Sequence, residues 1–179
     1  MTDAERDHED VYRHRPLPRA NARGRLIVGE TVINDTVIAL RSFRGADGAH
    51  EGIVFWGGRA AGDDTVISLA VVPQAAHGWG RVHVDERAVA AAARAMRPYG
   101  AGLLAQVHSH PGGGIHHSDG DDDLVLMPFE GMFSLIVGRY ATEGFDLSTV
   151  GVHQFQDGRW ALVTDAEDAV VVAPRLMWS

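Results

Sequence analysis

The sequence predicts an α/β (α+β) domain in which a mixed β-sheet is flanked by two or three helices. Two kinds of segment predict this class. Residues 52–56 (GIVFW), 65–72 (TVISLAVV) and 132–137 (MFSLIV) are continuous apolar runs, which are typical of strands buried on both faces of a sheet. Residues 85–97 (DERAVAAAARAMR) instead carry apolar side chains at helical spacing, so we expect a helix that packs on this sheet.

The first half of the chain starts with a strand, and the segment after it fits either a helix or a hairpin. Residues 25–32 (RLIVGETV) predict a short strand. Asn34 or Asp35 then caps a helix that runs to about Phe43. A β-hairpin is the alternative for this segment, because its β-branched residues lower helix propensity.

Glycine, proline and short polar residues mark the expected boundaries of the remaining elements. These boundaries are the Gly57-Gly58 pair after the strand at 52–56, Asp85 as a helix N-cap, and Pro98 and Gly100 at the end of that helix. The later elements are a loop at 73–80, a strand at 101–108, a helix at 119–127 that ends at Pro128, and strands at 149–155 and 160–164. Asp157-Gly158 predicts a hairpin turn between the last two strands.

Composition restricts the class of protein. The chain has 179 residues and a formal net charge of −8, which fits one domain and disfavours nucleic acid as a partner. It has no cysteine, which excludes disulfides, thiolate metal ligands and a cysteine nucleophile. No apolar run reaches the roughly 18 residues of a membrane span, and the N-terminus lacks the apolar core of a signal peptide. We therefore expect a cytoplasmic protein without membrane contact.

The N-terminal residues differ from the rest of the chain. Residues 1–24 are charged, contain Pro16 and Pro18, and have few large apolar side chains. Such a segment buries little apolar surface, so we expect a mobile N-terminal arm. Residues 25–179 are then expected to form a single domain.

Residues 107–121 (VHSHPGGGIHHSDGD) concentrate four histidines and two aspartates. His108 and His110 stand two positions apart at the end of a predicted strand, so their imidazoles are expected on one face. Ser118 and Asp121 have the S-x-x-D spacing of a helix capping box, which places Asp121 in a first helical turn near the strand end.

Two histidines and one aspartate form a three-ligand site, in which zinc keeps an open fourth position for water. Other potential ligands stand close by: His116, His117, Asp119, Asp122 and Asp123. A solvated polar loop without a metal is therefore the alternative at this point.

This spacing resembles the JAMM motif of the MPN+ (JAB/Mov34) zinc metalloproteases, and the compact length is similar to that of bacterial members. The motif is H-x-H-P followed by S-x-x-D with seven residues between the second histidine and the serine, and His108 to Asp121 match it throughout. The family also has a glutamate that opens an apolar strand, with a glycine seven residues later, and Glu51 and Gly58 fit this pattern. The resemblance covers residues 25–160.

The resemblance implies a fold and a mechanism. The fold would be an MPN/JAB-like mixed sheet flanked by helices, in a cytidine-deaminase-like layout. His108, His110 and Asp121 would bind one Zn²⁺ per chain. Glu51 would take a proton from the attacking water and deliver it to the leaving amine, and Ser118 would stabilise the oxyanion. The reaction would cleave the bond after the C-terminal glycine of a ubiquitin-like protein.

The resemblance to bacterial members also implies partners. Such proteins often accompany activating-enzyme-like and conjugating-enzyme-like proteins, some of them in antiphage defence. Two alternatives stay open. One is a small-molecule or sulfur-carrier amide hydrolase that uses the same site, and the other is a non-catalytic MPN module that only binds partners.

The sequence departs from the family pattern at two positions. Val54 and His117 stand where family members often have glycine and proline, which concerns the loop near the substrate and not the chemistry. The assignment of Glu51 rests on the family pattern, because the residues alone do not favour it over the other glutamates considered, Glu30, Glu86 and Glu130.

Overall fold

The centre of the protein is a nine-stranded mixed β-sheet with helices on both faces. The computed structural model describes residues 16–123 and 128–175. In chain order the helices and strands are β1 (Arg19–Ala20), β2 (Leu26–Gly29), α1 (Glu30–Ser42), β3 (Arg44–Gly45), β4 (Gly48–Ala49), β5 (Ile53–Ala61), β6 (Asp64–Val71), β7 (Ala76–Gly78), β8 (Arg81–His83), α2 (Glu86–Met96), β9 (Gly102–Ser109), β10 (Phe133–Val137), β11 (Val150–Gln156), β12 (Arg159–Val163), α3 (Ala166–Ala169) and β13 (Val170–Ala173).

The order of strands brings the chemistry-bearing segments together. Neighbouring strands follow the order β1-β12-β11-β10-β9-β5-β6-β2-β13, so β9 lies near the middle. β9 is parallel to β10 and antiparallel to β5. Ile53 at the start of β5 pairs with His108 at the end of β9. This register places Glu51, which stands just before β5, beside the histidine pair.

The two faces of the sheet have separate apolar cores because side chains alternate along each strand. On one face, Leu40 of α1 packs in a cluster with Trp56 and Val107. On the other face, Met96 of α2 packs in a second cluster with Phe55. This layered arrangement confirms the predicted fold class.

The segment after β2 forms helix α1, so the predicted helix is confirmed and the alternative hairpin is excluded. The predicted start of this helix was wrong. The strand ends at Gly29, and Gly29 is the N-cap without a side-chain hydrogen bond. Asn34 and Asp35 therefore lie inside the helix, where both are exposed. The buried face already begins at Val32, so burial of an apolar stripe decides the helix start more than a capping side chain does.

The Gly57-Gly58 pair does not end its strand, contrary to the prediction. Strand β5 continues through both glycines to Ala61, with a register shift between Gly57 and Gly58 against β6. A Cβ at Gly58 would lie only 1.9 Å from the carbonyl oxygen of Val66, so this glycine permits a close approach of two strands.

The predicted loop at 73–80 was wrong in part. Residues Ala76–Gly78 and Arg81–His83 form the small hairpin β7–β8, outside the main sheet. The two strands have three residues each, AHG and RVH, which is too short for an apolar alternation to show, so the pattern did not indicate strands.

The second predicted helix and the C-terminal hairpin are confirmed. Asp85 caps α2 by accepting a hydrogen bond from the Ala88 backbone N–H at 2.8 Å. Gly100 follows the helix in a left-handed conformation. Asp157 and Gly158 both have positive φ and connect β11 to β12, as the turn signal predicts.

In its described part, the helix predicted over 119–127 is a 3₁₀ turn and not an α-helix. A 3₁₀ turn spans Gly120–Asp123, and residues 124–127 lie outside the described residues. Residues after 164, for which no element was predicted, add α3 and the strand β13, which pairs in parallel with β2.

The predicted N-terminal arm is described only from residue 16. Arg19–Ala20 pairs with β12 at one edge of the sheet, so residues 16–24 run along the domain instead of extending from it. Residues 1–15 lie outside the described residues, and for them the arm stays a prediction. In the described parts of the chain, none of the helices has the length and apolar character needed to cross a bilayer.

Candidate metal centre

The end of β9 and the loop after it bring three potential metal ligands together. His108 Nε2 and His110 Nε2 lie 3.1 Å apart. Asp121 Oδ1 lies 3.2 Å from His108 Nε2, and Asp121 Oδ2 lies 3.1 Å from His110 Nε2. All three side chains are buried, and their ligand atoms lie within 4.8 Å of one another. The predicted ligand set is therefore assembled in one place.

These separations fit a divalent metal ion. Zinc bonds of about 2.0–2.2 Å at tetrahedral angles place neighbouring ligand atoms roughly 3.3–3.6 Å apart, so a shift of a few tenths of an ångström accommodates the ion. If His108 and His110 both donated Nε2–H to Asp121, neither nitrogen could accept from the other across 3.1 Å. An ion bound to both lone pairs removes this conflict, so the group can hold a metal.

Asp121 is fixed by the turn in which it lies. The Ser118 backbone N–H donates to Asp121 Oδ2 at 2.6 Å, and the Asp121 N–H donates to Ser118 Oγ at 3.2 Å. This reciprocal pair confirms the predicted S-x-x-D arrangement, although the turn is 3₁₀. The loop between β9 and this turn lies directly on the sheet at Gly151 of β11. A Cβ at Gly151 would be 1.8 Å from the Ile115 carbonyl oxygen, so glycine is needed for this contact.

A left-handed turn after β10 holds the backbone of His110. Residues 139–141 have φ of +55°, +53° and +58°, although none is glycine. Such dihedrals are unfavourable for L-residues, so other contacts must hold the turn. The Tyr140 N–H donates to the His110 carbonyl at 2.8 Å, and Arg41 Nε donates to the Ala141 carbonyl at 2.8 Å. The sequence carries no signal for this turn.

The electrostatics of the group favour an ionised aspartate. Burial alone would raise the pKa of the Asp121 carboxyl, but the charges and hydrogen bonds of His108 and His110 outweigh burial and hold this pKa well below its usual range. Asp121 is therefore a carboxylate, which is the form that binds a metal.

Glu51 lies next to this group but is not one of its three members. Its backbone is held on both sides, because the Glu51 N–H donates to the Gly78 carbonyl at 2.9 Å and the Gly52 N–H donates to Ser109 Oγ at 3.0 Å. Its side chain is buried. Burial, together with the negative charge of Asp121, raises the pKa of the Glu51 carboxyl to about 9. A bound cation would favour the carboxylate form instead.

Among the side chains that the structure describes, the competing ligands named from the sequence are not members of the group. His117 turns inward, where its Nε2 lies 2.8 Å from Ser134 Oγ and its Nδ1 lies 3.2 Å from Asp122 Oδ1. Burial lowers the pKa of His117, which favours the neutral imidazole. His116 and Asp119 are exposed, and the side chain of Asp123 lies outside the described part of the chain.

The sequence interpretation missed three buried polar residues, two of which contact His117. They interrupt the apolar strands β9, β10 and β11, and they are Gln106, Ser134 and His153. A polar residue within an apolar strand is the signal that could have found them, because its burial requires a polar partner.

The fold and the site together define a mixed-sheet domain with a candidate metal centre at the end of a central strand. The profile of the family described as prokaryotic homologs of the JAB domain matches residues 36–149, more than half of the chain. The chain therefore belongs to the prokaryotic JAB family, which confirms the resemblance to the JAMM/MPN group. It is also 32% identical over 109 residues to the probable metalloprotease y4jG of Sinorhizobium fredii, covering 59% of this chain and 67% of that protein.

Two solved structures share the fold. A protein from Desulfitobacterium hafniense has a TM-score of 0.63 at 17% identity, with 84% of this chain and 94% of that chain covered. A protein from Salinibacter ruber has a TM-score of 0.55 at 14% identity, with 82% and 90% covered. At these identities the likeness concerns the fold alone.

Proposed function

We propose that the protein is a zinc-dependent hydrolase, a metallo-isopeptidase or peptidase that cleaves the bond after the C-terminal glycine of a ubiquitin-like protein. The observation that carries this proposal is the buried group of His108, His110 and Asp121, with the buried carboxyl of Glu51 next to it. Membership in the prokaryotic JAB family and the name of the related metalloprotease support metal-dependent hydrolysis.

Zinc and the residues around it would have separate roles in the reaction. Zinc bound there would supply a Lewis acid that activates water and polarises the scissile carbonyl. His108 and His110 would bind through Nε2, because these are the nitrogens that face Asp121. Asp121 adds one negative charge, so the loaded centre keeps a net positive charge. The hydroxyl of Ser118, next to Asp121, would donate to the developing oxyanion.

Glu51 is proposed as the general base. Without a cation its carboxyl holds a proton at neutral pH, since its pKa is raised to about 9. A divalent cation nearby would lower that pKa and release the proton, which leaves a carboxylate able to accept one from water. The same carboxyl can then return the proton to the leaving amine. Glu51 is therefore a base that is ready only when the metal is bound.

Beyond metal-dependent hydrolysis, the proposal names a ubiquitin-like protein as the substrate. It is supported by the complete JAMM spacing and by the exposed glycines at 112–114, which follow His110 and leave room for an extended Gly-Gly tail. Activating-enzyme-like and conjugating-enzyme-like proteins of the cytoplasm are the proposed partners, because a deconjugating enzyme acts on their products.

A cleavage assay tests this proposal. Zinc-loaded full-length protein is incubated with fusions of ubiquitin and of bacterial ubiquitin-like proteins to a reporter, joined after the terminal glycine. A panel of small amides is tested in parallel. The variant Glu51→Gln is compared with Glu167→Gln, which changes an exposed glutamate distant in sequence from the site.

We expect cleavage after the glycine, loss of turnover in Glu51→Gln with zinc retained, and no change in Glu167→Gln. Cleavage of small amides only would replace the substrate class and keep the hydrolase. No hydrolysis of any substrate by the zinc-loaded protein would leave a partner-binding module and overturn the proposal.

A further inference from the structure

A second group of polar side chains lies buried on the same face of the sheet as His108. We call it the outer polar cluster, and its members are Gln106, His117, Ser134, His153 and Trp160. Gln106 stands opposite Ser134, and Ser134 stands opposite His153, across the three neighbouring strands β9, β10 and β11. Gln106 Nε2 donates to Ser134 Oγ at 3.0 Å.

His117 joins this cluster to the metal centre. Its ring centroid lies 4.3 Å from that of His153, 5.0 Å from Trp160 and 5.9 Å from His108. His108 and Gln106 are two positions apart on β9 and so share a face. The cluster therefore lies beside His108 on this face of the sheet.

In the part of the chain that the structure describes, the buried polar side-chain atoms without a partner are concentrated here. In residues 16–123 and 128–175, the buried side-chain nitrogens and oxygens without a hydrogen-bond partner of good geometry are Gln106 Oε1, His108 Nδ1, His153 Nδ1, His153 Nε2 and Trp160 Nε1. The Ser134 backbone also lies close to the His153 imidazole and opposes the lowering of its pKa by burial. Buried polar atoms in native proteins are normally paired with protein or with ordered water. Five such atoms on one face of the sheet indicate that ordered polar partners lie between these side chains.

The chemistry of these atoms fits water as the partner. Trp160 Nε1 can only donate and Gln106 Oε1 can only accept, while a neutral histidine does one at each nitrogen. A water molecule does both, and buried waters usually have two to four polar partners. When His108 binds a metal through Nε2, its Nδ1 carries the proton and needs an acceptor.

We propose that internal water molecules join His108 Nδ1 to Gln106, His153 and Trp160, and that the outer polar cluster thereby orients His108 as a metal ligand. This inference rests on the proposed metal binding by His108. The cluster residues act through His108 and do not touch substrate, so they are positioning residues.

Two measurements test the inference. The first is a high-resolution crystal structure of the metal-free protein, in which ordered water within hydrogen-bond distance of Trp160 Nε1 and His153 is expected. The second is zinc affinity, measured by competition with a chelator, for the polar-to-apolar variants Gln106→Met, His153→Leu and Trp160→Phe. Trp160→Phe is the mildest of these, because it keeps an aromatic ring and removes the donor.

The matched control is Thr36→Val, which also removes a buried polar group but lies on the opposite face, where Thr36 Oγ1 accepts from Trp56 Nε1. Thermal stability of each variant is measured alongside. We expect zinc affinity to fall about 10- to 100-fold in the cluster variants, the range usual for outer partners of metal ligands. Thr36→Val is expected to lose stability and keep its zinc affinity.

Zinc affinities within twofold of wild type in all folded cluster variants would overturn the inference, as would a dry cluster in the crystal. Equal losses in Thr36→Val would also overturn it, because they would indicate a merely structural effect. If the wild type binds no zinc at all, the proposed function fails, while the crystal structure still tests the internal water.

Discussion

Replacing the buried carboxyl of Glu51 is predicted to stabilise the metal-free protein, and to do so more as the pH rises. The folded state raises the pKa of Glu51 from 4.5 to about 9, first through burial and then through the charge of Asp121. Between these two values the folded protein holds a proton that the unfolded chain has released. The stabilising contribution of the protonated form is therefore present below pH 4.5 and is lost progressively up to pH 9.

The size of the effect follows from the shift. Each pH unit inside the window changes the free energy of unfolding by about 1.4 kcal/mol, so three units correspond to about 4 kcal/mol. Glu51→Gln cannot ionise and escapes this loss. Its advantage over wild type is thus expected to grow by about 4 kcal/mol between pH 5.5 and pH 8.5.

Urea unfolding at several pH values, with a chelator present, measures this difference. Other titrating groups are shared by both proteins and cancel to first order in the comparison. Glu167→Gln is the control, since it removes an exposed glutamate and is expected to follow wild type. A constant difference between Glu51→Gln and wild type across the range would refute the raised pKa. Added zinc is expected to reduce the difference, because the cation favours the carboxylate.

Three further predictions follow from single contacts. Ser118→Ala is expected to lower turnover about 10²- to 10³-fold, as for loss of one oxyanion donor, measured by steady-state kinetics with the cleaved fusion. The variant also loses the acceptor of the Asp121 N–H, but the Ser118 N–H still donates to Asp121, so zinc is expected to stay bound. Gly151→Ala places a Cβ 1.8 Å from the Ile115 carbonyl and is expected to lower the free energy of unfolding by about 1–3 kcal/mol, with weaker zinc binding. Thr36→Val leaves the buried Trp56 N–H unpaired and is expected to cost about 1–3 kcal/mol in urea unfolding.

Matched variants separate these effects from general damage. Gly102→Ala also adds a methyl group to a strand glycine, but nothing lies within 4 Å of its Cβ, so it is expected to behave like wild type. Equal destabilisation by Gly102→Ala and Gly151→Ala would contradict the close approach of the loop. Unchanged turnover in Ser118→Ala would remove the serine from the proposed mechanism.

The candidate site was largely predictable because its geometry is local. His108 and His110 share a face through strand alternation, and Ser118 brings Asp121 back through a capping turn of four residues. The position of Glu51 beside the two histidines depends on the pairing of β5 with β9, and no local sequence pattern indicates this pairing. Its position could be predicted only through the family motif.

The remaining differences come from interactions between distant parts of the chain. The start of α1 was misplaced because burial from Val32 onward, and not a capping side chain, determines it. Gly58 resembled a strand end, but it is required by the close approach of Val66. The roles of His117 and His153 depend on stacking between a loop and β11, which sequence spacing does not indicate.

The proposed function requires that His108, His110 and Asp121 bind zinc. The most direct test is elemental analysis of the zinc content of the purified full-length protein. Wild type and His110→Ala are compared as purified. Both are then measured again after reconstitution with zinc and removal of the excess zinc. About one zinc per chain in the wild type, and none in His110→Ala, is the predicted result for an open three-ligand site. Absence of zinc from the reconstituted wild type, or equal zinc in both proteins, would contradict it.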